Sequence, residues 1–143
     1  MRRIGLVLAV LFVLAQLVPV PRTNPPATGE LSAPLEIDGI LQRACYDCHS
    51  NETRWPWYAY IAPASWLLAW DVNEGREELN FSTWRDYPPA RQRKKLEEIV
   101  EMVEEDEMPL WYYRPLHPDA QLTAAEREQL VAWARAWTAT RAE

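Results

Sequence analysis

The chain has 143 residues, 48% of them hydrophobic, which suits one compact domain preceded by a leader. Its formal net charge is −6, and this acidic balance argues against nucleic acid as a partner and favours a basic or neutral protein. Eight Trp and six Tyr are many for a chain of this length. Indole and phenol rings bury a large apolar area while keeping a polar atom. They therefore predict either an aromatic core or the wall of a cavity that holds a large flat molecule.

Residues 1–20 are predicted to be a membrane or export segment. Arg2 and Arg3 give the segment a positive start, and the run 4–18 is apolar apart from Gln16. The run is short for a spanning helix, which needs about 20 apolar residues, and it fits the apolar region of a signal peptide equally well. Because no small-x-small cleavage site follows it, we favour an uncleaved N-terminal hydrophobic helix that anchors the chain. The positive residues precede this helix, which predicts a domain outside the cytoplasm.

A proline-rich linker, residues 21–34, connects this segment to the predicted domain, residues 35–143. Prolines bias the linker to extended conformations, and it has no periodic pattern. The domain is predicted to be all-α, since no stretch alternates as a strand would.

Four helices are predicted in the domain from the spacing of apolar residues. They cover 35–44, 64–72, 90–105 and a stretch that begins at Thr123, with Glu126 completing a capping box. In the second of these, Trp66, Leu67 and Trp70 are expected to form a buried face, and Gly75 is expected to end the helix. The charge run made by Glu74, Arg76, Glu77 and Glu78 is predicted to be solvated.

Cysteine and histidine are concentrated in a short motif just after the first helix of the domain. Its residues are Cys45, Tyr46, Asp47, Cys48 and His49. This spacing is the attachment pattern of a c-type haem. One helical turn would bring Cys45 and Cys48 to one edge of a porphyrin, where the two thiols form thioethers with its vinyl groups. His49 would ligate the iron from one face. The motif therefore predicts one covalently attached haem c.

Three other interpretations of the cysteine pair remain open. A redox dithiol of the thioredoxin type needs a βαβ context, which the sequence does not suggest. A zinc site needs four ligands, and His117 would have to be the fourth. A disulfide between residues three apart closes a very small loop and gains little stability from chain entropy. We favour haem because the chain has only two Cys and two His, and three of these four fit the motif.

The second axial ligand of the iron is predicted to be Met108. A c-type haem is commonly six-coordinate, with Met or His opposite the first histidine. Met102 falls within a predicted helix, where packing explains it, whereas Met108 follows the helix and precedes Pro109, whose fixed φ stiffens the loop. His117 is a rival ligand, and an open site is the other alternative.

Further motifs resemble those of the bacterial haem-binding domain family. They are Trp55-Pro56-Trp57-Tyr58, Ala62-Pro63-x-Ser65-Trp66, Asn80-Phe81-Ser82, Met108-Pro109 and Leu116-His117-Pro118-Asp119-Ala120. The resemblance covers most of residues 20–137. It implies a small exported protein with a cytochrome c-like fold, in which helices wrap around one covalent haem. A resemblance to small cytochromes also implies that the carbonyl of Pro63 accepts the free ring N–H of His49.

Two functions follow from the predicted ligands. A fixed pair, His49 and Met108, favours an electron carrier rather than a catalyst, with redox partner proteins in the periplasm. An open sixth position would instead indicate a haem sensor or a peroxidase-like enzyme. The predicted location is the periplasmic side of the bacterial inner membrane, with residues 1–20 as the membrane contact, or the periplasm itself if this segment is cleaved.

Overall fold

The computed structural model describes residues 1–140, and the predicted end of the domain, residues 141–143, lies outside the described residues. Within residues 1–140 the secondary structure is helical and contains no strand. The α-helices are α1 (Arg2–Ala15), α2 (Leu35–Ala44), α3 (Tyr46–His49), α4 (Ala64–Glu78), α5 (Pro89–Glu104) and α6 (Ala124–Thr140). Short 3₁₀ turns cover Trp57–Tyr60, Phe81–Asp86, Arg114–Leu116 and Pro118–Ala120. The predicted all-α domain is therefore confirmed.

The main core lies between α2, α5 and α6. Leu96 of α5 and Leu130 of α6 are fully buried in the same apolar cluster as Leu41 of α2. The predicted capping box begins α6, because Glu126 accepts a hydrogen bond from the backbone N–H of Thr123 at 2.9 Å while its own N–H donates to the Thr123 hydroxyl. Local signals thus place the helices, and burial of their apolar faces holds them together.

Helix α1 is apolar and leaves every one of its residues unburied. Within residues 1–140, no helix combines the length and apolar character needed to cross a membrane. The prediction that this segment spans a membrane therefore finds no support in the structure. The residue after the helix, Gln16, bonds to both backbone groups of Ala62: its side-chain oxygen accepts from the N–H at 2.9 Å, and its amide donates to the carbonyl at 3.3 Å.

The proline-rich segment 21–34 runs along the surface of the helical domain. Leu31 is buried, and its N–H donates to the carbonyl of Phe81 at 3.0 Å. Gly29 lies so close to this surface that an added Cβ would meet the Cβ of Arg85 at 2.7 Å. Backbone hydrogen bonds therefore tie the segment to the 3₁₀ turn that follows α4.

Helix α4 differs from the prediction in length and in the face that it buries. It continues to Glu78, so Gly75 lies inside it rather than at its end. Leu68, Ala69 and Val72 point inward, whereas Trp66, Leu67 and Trp70 are exposed. The prediction of a buried face made of these three residues was wrong, because the motif helix α3 packs on the opposite side of α4.

Candidate haem site

A cavity of about 650 Å³ lies between the motif helix α3, helix α4 and the C-terminal end of α5. Cys45, Cys48 and His49 line it together with both internal methionines, Met102 and Met108. Much of the remaining wall is apolar, with contributions from Leu41, Phe81, Ile99, Val103 and Leu110. The volume and the apolar lining are those of a site for a large organic ligand. The structure thus brings the predicted haem-binding residues Cys45, Cys48, His49 and Met108 to one place.

The two cysteines are free thiols that face this cavity. Burial raises the pKa of Cys45 to about 12, and burial together with nearby carboxylates raises the pKa of Cys48 to about 12. A redox dithiol needs the opposite, an environment that lowers the pKa of the attacking thiol. Within residues 1–140, no group of three or more His, Cys, Asp or Glu side chains could hold a metal ion. These observations argue against the dithiol and zinc interpretations.

The ring of His49 is held by two backbone carbonyls. Its Nδ1 lies 2.8 Å from the carbonyl oxygen of Gly75 and 3.1 Å from that of Leu79. Because carbonyls only accept hydrogen bonds, Nδ1 carries the proton, and Nε2 is the ring nitrogen that can bind a metal. Desolvation lowers the pKa of His49 below its ordinary value of 6.5, so the imidazole is neutral at neutral pH. Neutral imidazole is the form that ligates metals.

The acceptor predicted for His49, the carbonyl of Pro63, was wrong. That carbonyl accepts from the N–H groups of Trp66 and Leu67 at the start of α4. The carbonyls that hold His49 belong instead to the C-terminal end of the same helix, where the last carbonyls are not all used within the helix. The carbonyl of Gly75 accepts from the N–H of Leu79 as well as from His49. The local sequence around His49 carries no signal for this pairing, since the partners are 26 and 30 residues away.

Gly75 explains how α3 comes so close to α4. A Cβ at this position would meet the carbonyl oxygen of Cys48 at 2.7 Å and its carbonyl carbon at 3.1 Å. Only a residue without a side chain lets the motif backbone lie directly on the helix. A glycine inside a helix otherwise lowers stability by about 1 kcal/mol relative to alanine. Its presence in α4 was the sequence signal for this contact.

Asp47, between the two cysteines, joins the motif to two distant loops. Asp47 is buried, and its carboxylate accepts hydrogen bonds from the backbone N–H and the guanidinium of Arg54 and from the hydroxyl of Tyr113 at 2.9 Å. The Tyr113 ring in turn stacks on His117, with ring centroids 3.8 Å apart. Sequence reasoning missed this role, because a single Asp within the motif has no local partner.

His117, the rival for the second axial position, does not line the cavity. Its Nε2 lies 2.6 Å from the hydroxyl of Tyr58, and its ring is stacked on Tyr113. Both Met102 and Met108 do line the cavity. Of the three residues considered for a second ligand, Met102 and Met108 therefore share the cavity with His49, whereas His117 does not.

The cavity wall carries several carboxylates and one basic side chain within the described part of the chain. The carboxylates belong to Asp47, Asp71, Glu74, Glu78 and Glu98, and the basic group is Lys95. Lys95 is 8% exposed and its Nζ lies 2.6 Å from Glu98 and 3.2 Å from Glu78. Lys95 thus neutralises part of the negative charge that Glu78 and Glu98 bring to this wall.

Arg76 is the second side chain whose role the sequence concealed. Its guanidinium donates to the carbonyl of Ser50 at 2.7 Å, to the hydroxyl of Thr53 at 2.8 Å and to the carbonyl of Thr23 at 2.9 Å. The prediction that Arg76 belongs to a solvated charge run was therefore wrong. It fixes the chain just after the motif to helix α4. The sequence does not reveal this role, because other residues within one helical turn of Arg76 are also charged.

Comparison with known proteins agrees with these features. The model of a family described as a haem-binding domain matches residues 10–136. The cytochrome c peroxidase Ccp of Escherichia coli (strain K12) is 27% identical to the chain over 99 residues, which cover 66% of this chain and 21% of that protein. The chain thus spans about a fifth of the length of this curated relative. No solved structure matches the chain.

Proposed function

Because this chain belongs to the haem-binding domain family, we propose that it holds one haem c attached through Cys45 and Cys48, with His49 as an axial ligand. The observation that carries the proposal is that these three side chains share a cavity of about 650 Å³ with an apolar wall. Bound there, the haem supplies one-electron chemistry at its iron. The protein supplies the attachment, the orientation and the dry surroundings.

The chain's own residues divide this work among them. The carbonyls of Gly75 and Leu79 orient the imidazole of His49. Because they accept hydrogen bonds from its Nδ1–H, they raise the basicity of Nε2. Each of the thiols of Cys45 and Cys48 would supply the sulfur and the hydrogen that add across one vinyl group when a thioether forms, so no leaving group is needed. Asp47 and Tyr113 hold the loops that close the cavity.

Substitution of the cysteines tests covalent attachment. The protein is produced in a bacterium that matures c-type cytochromes, and haem is detected on a denaturing gel. We expect staining of the wild type, loss of covalent haem in the Cys45→Ala, Cys48→Ala double variant, and haem that acid and organic solvent extract from that variant. A wild-type protein that binds haem but shows no stain would contradict covalent attachment while leaving haem binding intact.

We propose Met108 as the second axial ligand. It follows the end of α5 and lines the cavity, and the rival His117 is engaged with Tyr58 and Tyr113. Met102 also lines the cavity and provides the matched control. Met108→Leu should abolish the near-infrared band of Met–ferric ligation and admit carbon monoxide to the ferrous protein, and Met102→Leu should do neither. If the two variants exchange these results, Met102 is the ligand.

Electron transfer is the function that this ligand pair supports best. With His49 and Met108 both bound, the coordination of the iron would stay unchanged between oxidation states, and the thioether of Met108 would raise its potential. The test is a redox titration followed by carbon monoxide addition: we expect reversible one-electron reduction and no carbon monoxide binding by the wild type. Free binding of carbon monoxide would instead favour a sensor or an enzyme. The proposed partners are redox proteins of the periplasm.

A peroxidase-like activity is the second candidate, because the relative from Escherichia coli is a cytochrome c peroxidase. The matched region covers 21% of that protein, so the resemblance by itself extends to a part of it. The test is the oxidation of a reduced cytochrome c by hydrogen peroxide in the presence of the chain. Turnover by the wild type that is lost in His49→Ala would support this candidate.

We further propose that residues 1–20 direct export and bring the domain to the outer face of the inner membrane. The positive start at Arg2 and Arg3 and the unburied apolar helix α1 support this proposal. Cell fractionation tests it, with haem staining as the marker of export. We expect haem-stained protein in the membrane fraction, and a haem-free protein in the cytoplasm when residues 1–20 are deleted.

A further inference from the structure

Five large apolar side chains are exposed on the stretch of chain that leads into helix α4. They belong to the turn that precedes α4 and to the first turn of that helix: Trp57, Tyr60, Ile61, Trp66 and Leu67. We call this group the aromatic collar. The exposed fraction is 72% for Trp57, 61% for Tyr60 and 49% for Leu67. A cluster of exposed apolar side chains of this kind marks an interaction site.

The collar lies where the N-terminal segment meets the domain. Gln16, the residue after α1, bonds to both backbone groups of Ala62, which lies within the collar sequence. Arg22 donates to the carbonyl of Ala59 at 3.1 Å, and its guanidinium lies 4.4 Å from the centre of the Tyr60 ring. The exposed apolar helix α1 and the collar therefore form neighbouring parts of one surface.

Charge is distributed unevenly along the chain. The chain has 21 acidic residues, yet none falls within residues 1–29 or within residues 53–70. These two stretches contain α1, the segment after it and the whole collar. Their charged side chains are four arginines: Arg22 lies against the collar, Arg54 is paired with Asp47, and Arg2 and Arg3 begin α1, at the end away from the collar. In a chain of net charge −6, the collar sequence thus carries no carboxylate of its own, and the guanidinium of Arg22 lies over its Tyr60 ring.

We propose that the aromatic collar rests on the interfacial region of an anionic lipid bilayer, so that the haem-binding domain touches the membrane directly beside α1. Trp and Tyr side chains favour the level of the lipid headgroups, because their apolar rings and polar atoms match both sides of that boundary. The guanidinium of Arg22 beside Tyr60 attracts anionic headgroups, and the collar sequence has no acidic residue that would repel them. A lipid surface therefore fits both the apolar and the charged features of this surface.

This contact fixes the orientation of the haem site relative to the bilayer. Trp70 lies one helical turn beyond Trp66 on the same side of α4, and it lines the cavity. A collar at the headgroup level would therefore hold one side of the cavity near the membrane plane. The inference rests on the proposed placement of residues 1–20 at the membrane, and it adds a second, independent contact made by the folded domain.

The test uses the full-length holoprotein labelled with 5-fluorotryptophan and bound to nanodiscs of phosphatidylethanolamine and phosphatidylglycerol. Some lipid headgroups carry chelated gadolinium, and the protein is kept in the ferrous state. Variants Trp57→Phe and Trp66→Phe assign the two collar resonances. We expect gadolinium to broaden these two resonances at least twofold more than those of Trp84, which is 4% exposed, and Trp111, which is 74% exposed and follows the acidic loop after α5.

The outcomes separate this inference from the proposals on which it builds. Broadening of Trp57 and Trp66 above both controls supports the collar. Equal broadening of Trp57 and Trp111 would overturn it, since exposure alone would then explain the effect. A protein that binds the nanodiscs without selective broadening of the collar would overturn it while leaving attachment through α1 intact. Failure to bind the nanodiscs would overturn both membrane contacts but not the haem proposal, which the absorption spectrum reports separately.

Discussion

Replacing Gly75 by alanine tests the contact on which the haem site is built. The added Cβ would meet the carbonyl oxygen of Cys48 at 2.7 Å, a distance that real Cβ atoms essentially never show. The obstructing atoms are mainly backbone, so helix α3 has to shift as a unit. Gly39 in α2 provides the matched control, because its added Cβ would meet nothing within 4 Å.

The expected magnitudes follow from two opposing terms. Alanine is favoured over glycine inside a helix by about 1 kcal/mol, and this term is present in both variants. Forcing extra atoms into a packed site lowers stability by about 1–3 kcal/mol, and this term applies only at position 75. We therefore expect Gly39→Ala to raise the free energy of unfolding by about 1 kcal/mol. Gly75→Ala should be less stable than Gly39→Ala by about 1–3 kcal/mol.

Denaturant unfolding of the two holoproteins measures this difference, and the absorption spectrum gives a second readout. A shift of α3 would change the 2.8 Å contact between His49 Nδ1 and the Gly75 carbonyl, which orients the proposed ligand. We expect an altered spectrum for Gly75→Ala and an unchanged one for Gly39→Ala. Two variants of equal stability with identical spectra would refute the reasoning that Gly75 is required by the approach of α3.

Two further predictions concern the end of the chain. Thr123→Ala removes the hydroxyl that accepts from the N–H of Glu126, so we expect the free energy of unfolding to fall by about 1 kcal/mol. Thermal or denaturant unfolding measures this change. Thr138→Ala, at an exposed hydroxyl within the same helix, should change stability much less. Desolvation lowers the pKa of His117 below its ordinary value of 6.5, so the unfolded chain takes up this proton first as the pH falls. Stability should therefore decline below about pH 6.5, and His117→Gln should make the decline less steep; an unchanged slope would contradict this assignment.

The amino-acid sequence alone determined the features that depend on local spacing. The motif from Cys45 to His49 needs one helical turn, and its pattern predicted a haem site. Together with the aromatic and proline motifs it predicted the family, which comparison then confirmed. The apolar periodicity of α5 and the capping box of α6 are equally local, and both helices begin within one residue of the predicted position. Such signals act over three or four residues and can be read from a single chain.

Only the tertiary structure decided which distant groups meet at the site. The partner of His49 is a pair of carbonyls 26 and 30 residues away, and backbone carbonyls leave no mark in a sequence. The exposure of Trp66 and Trp70 was decided in the same way, because α4 has apolar residues on both sides and the contact with α3 selects which side is buried. Gly75 illustrates both cases. The sequence shows a glycine at this position, and the structure shows that the lack of a side chain there lets the backbone of Cys48 lie against helix α4.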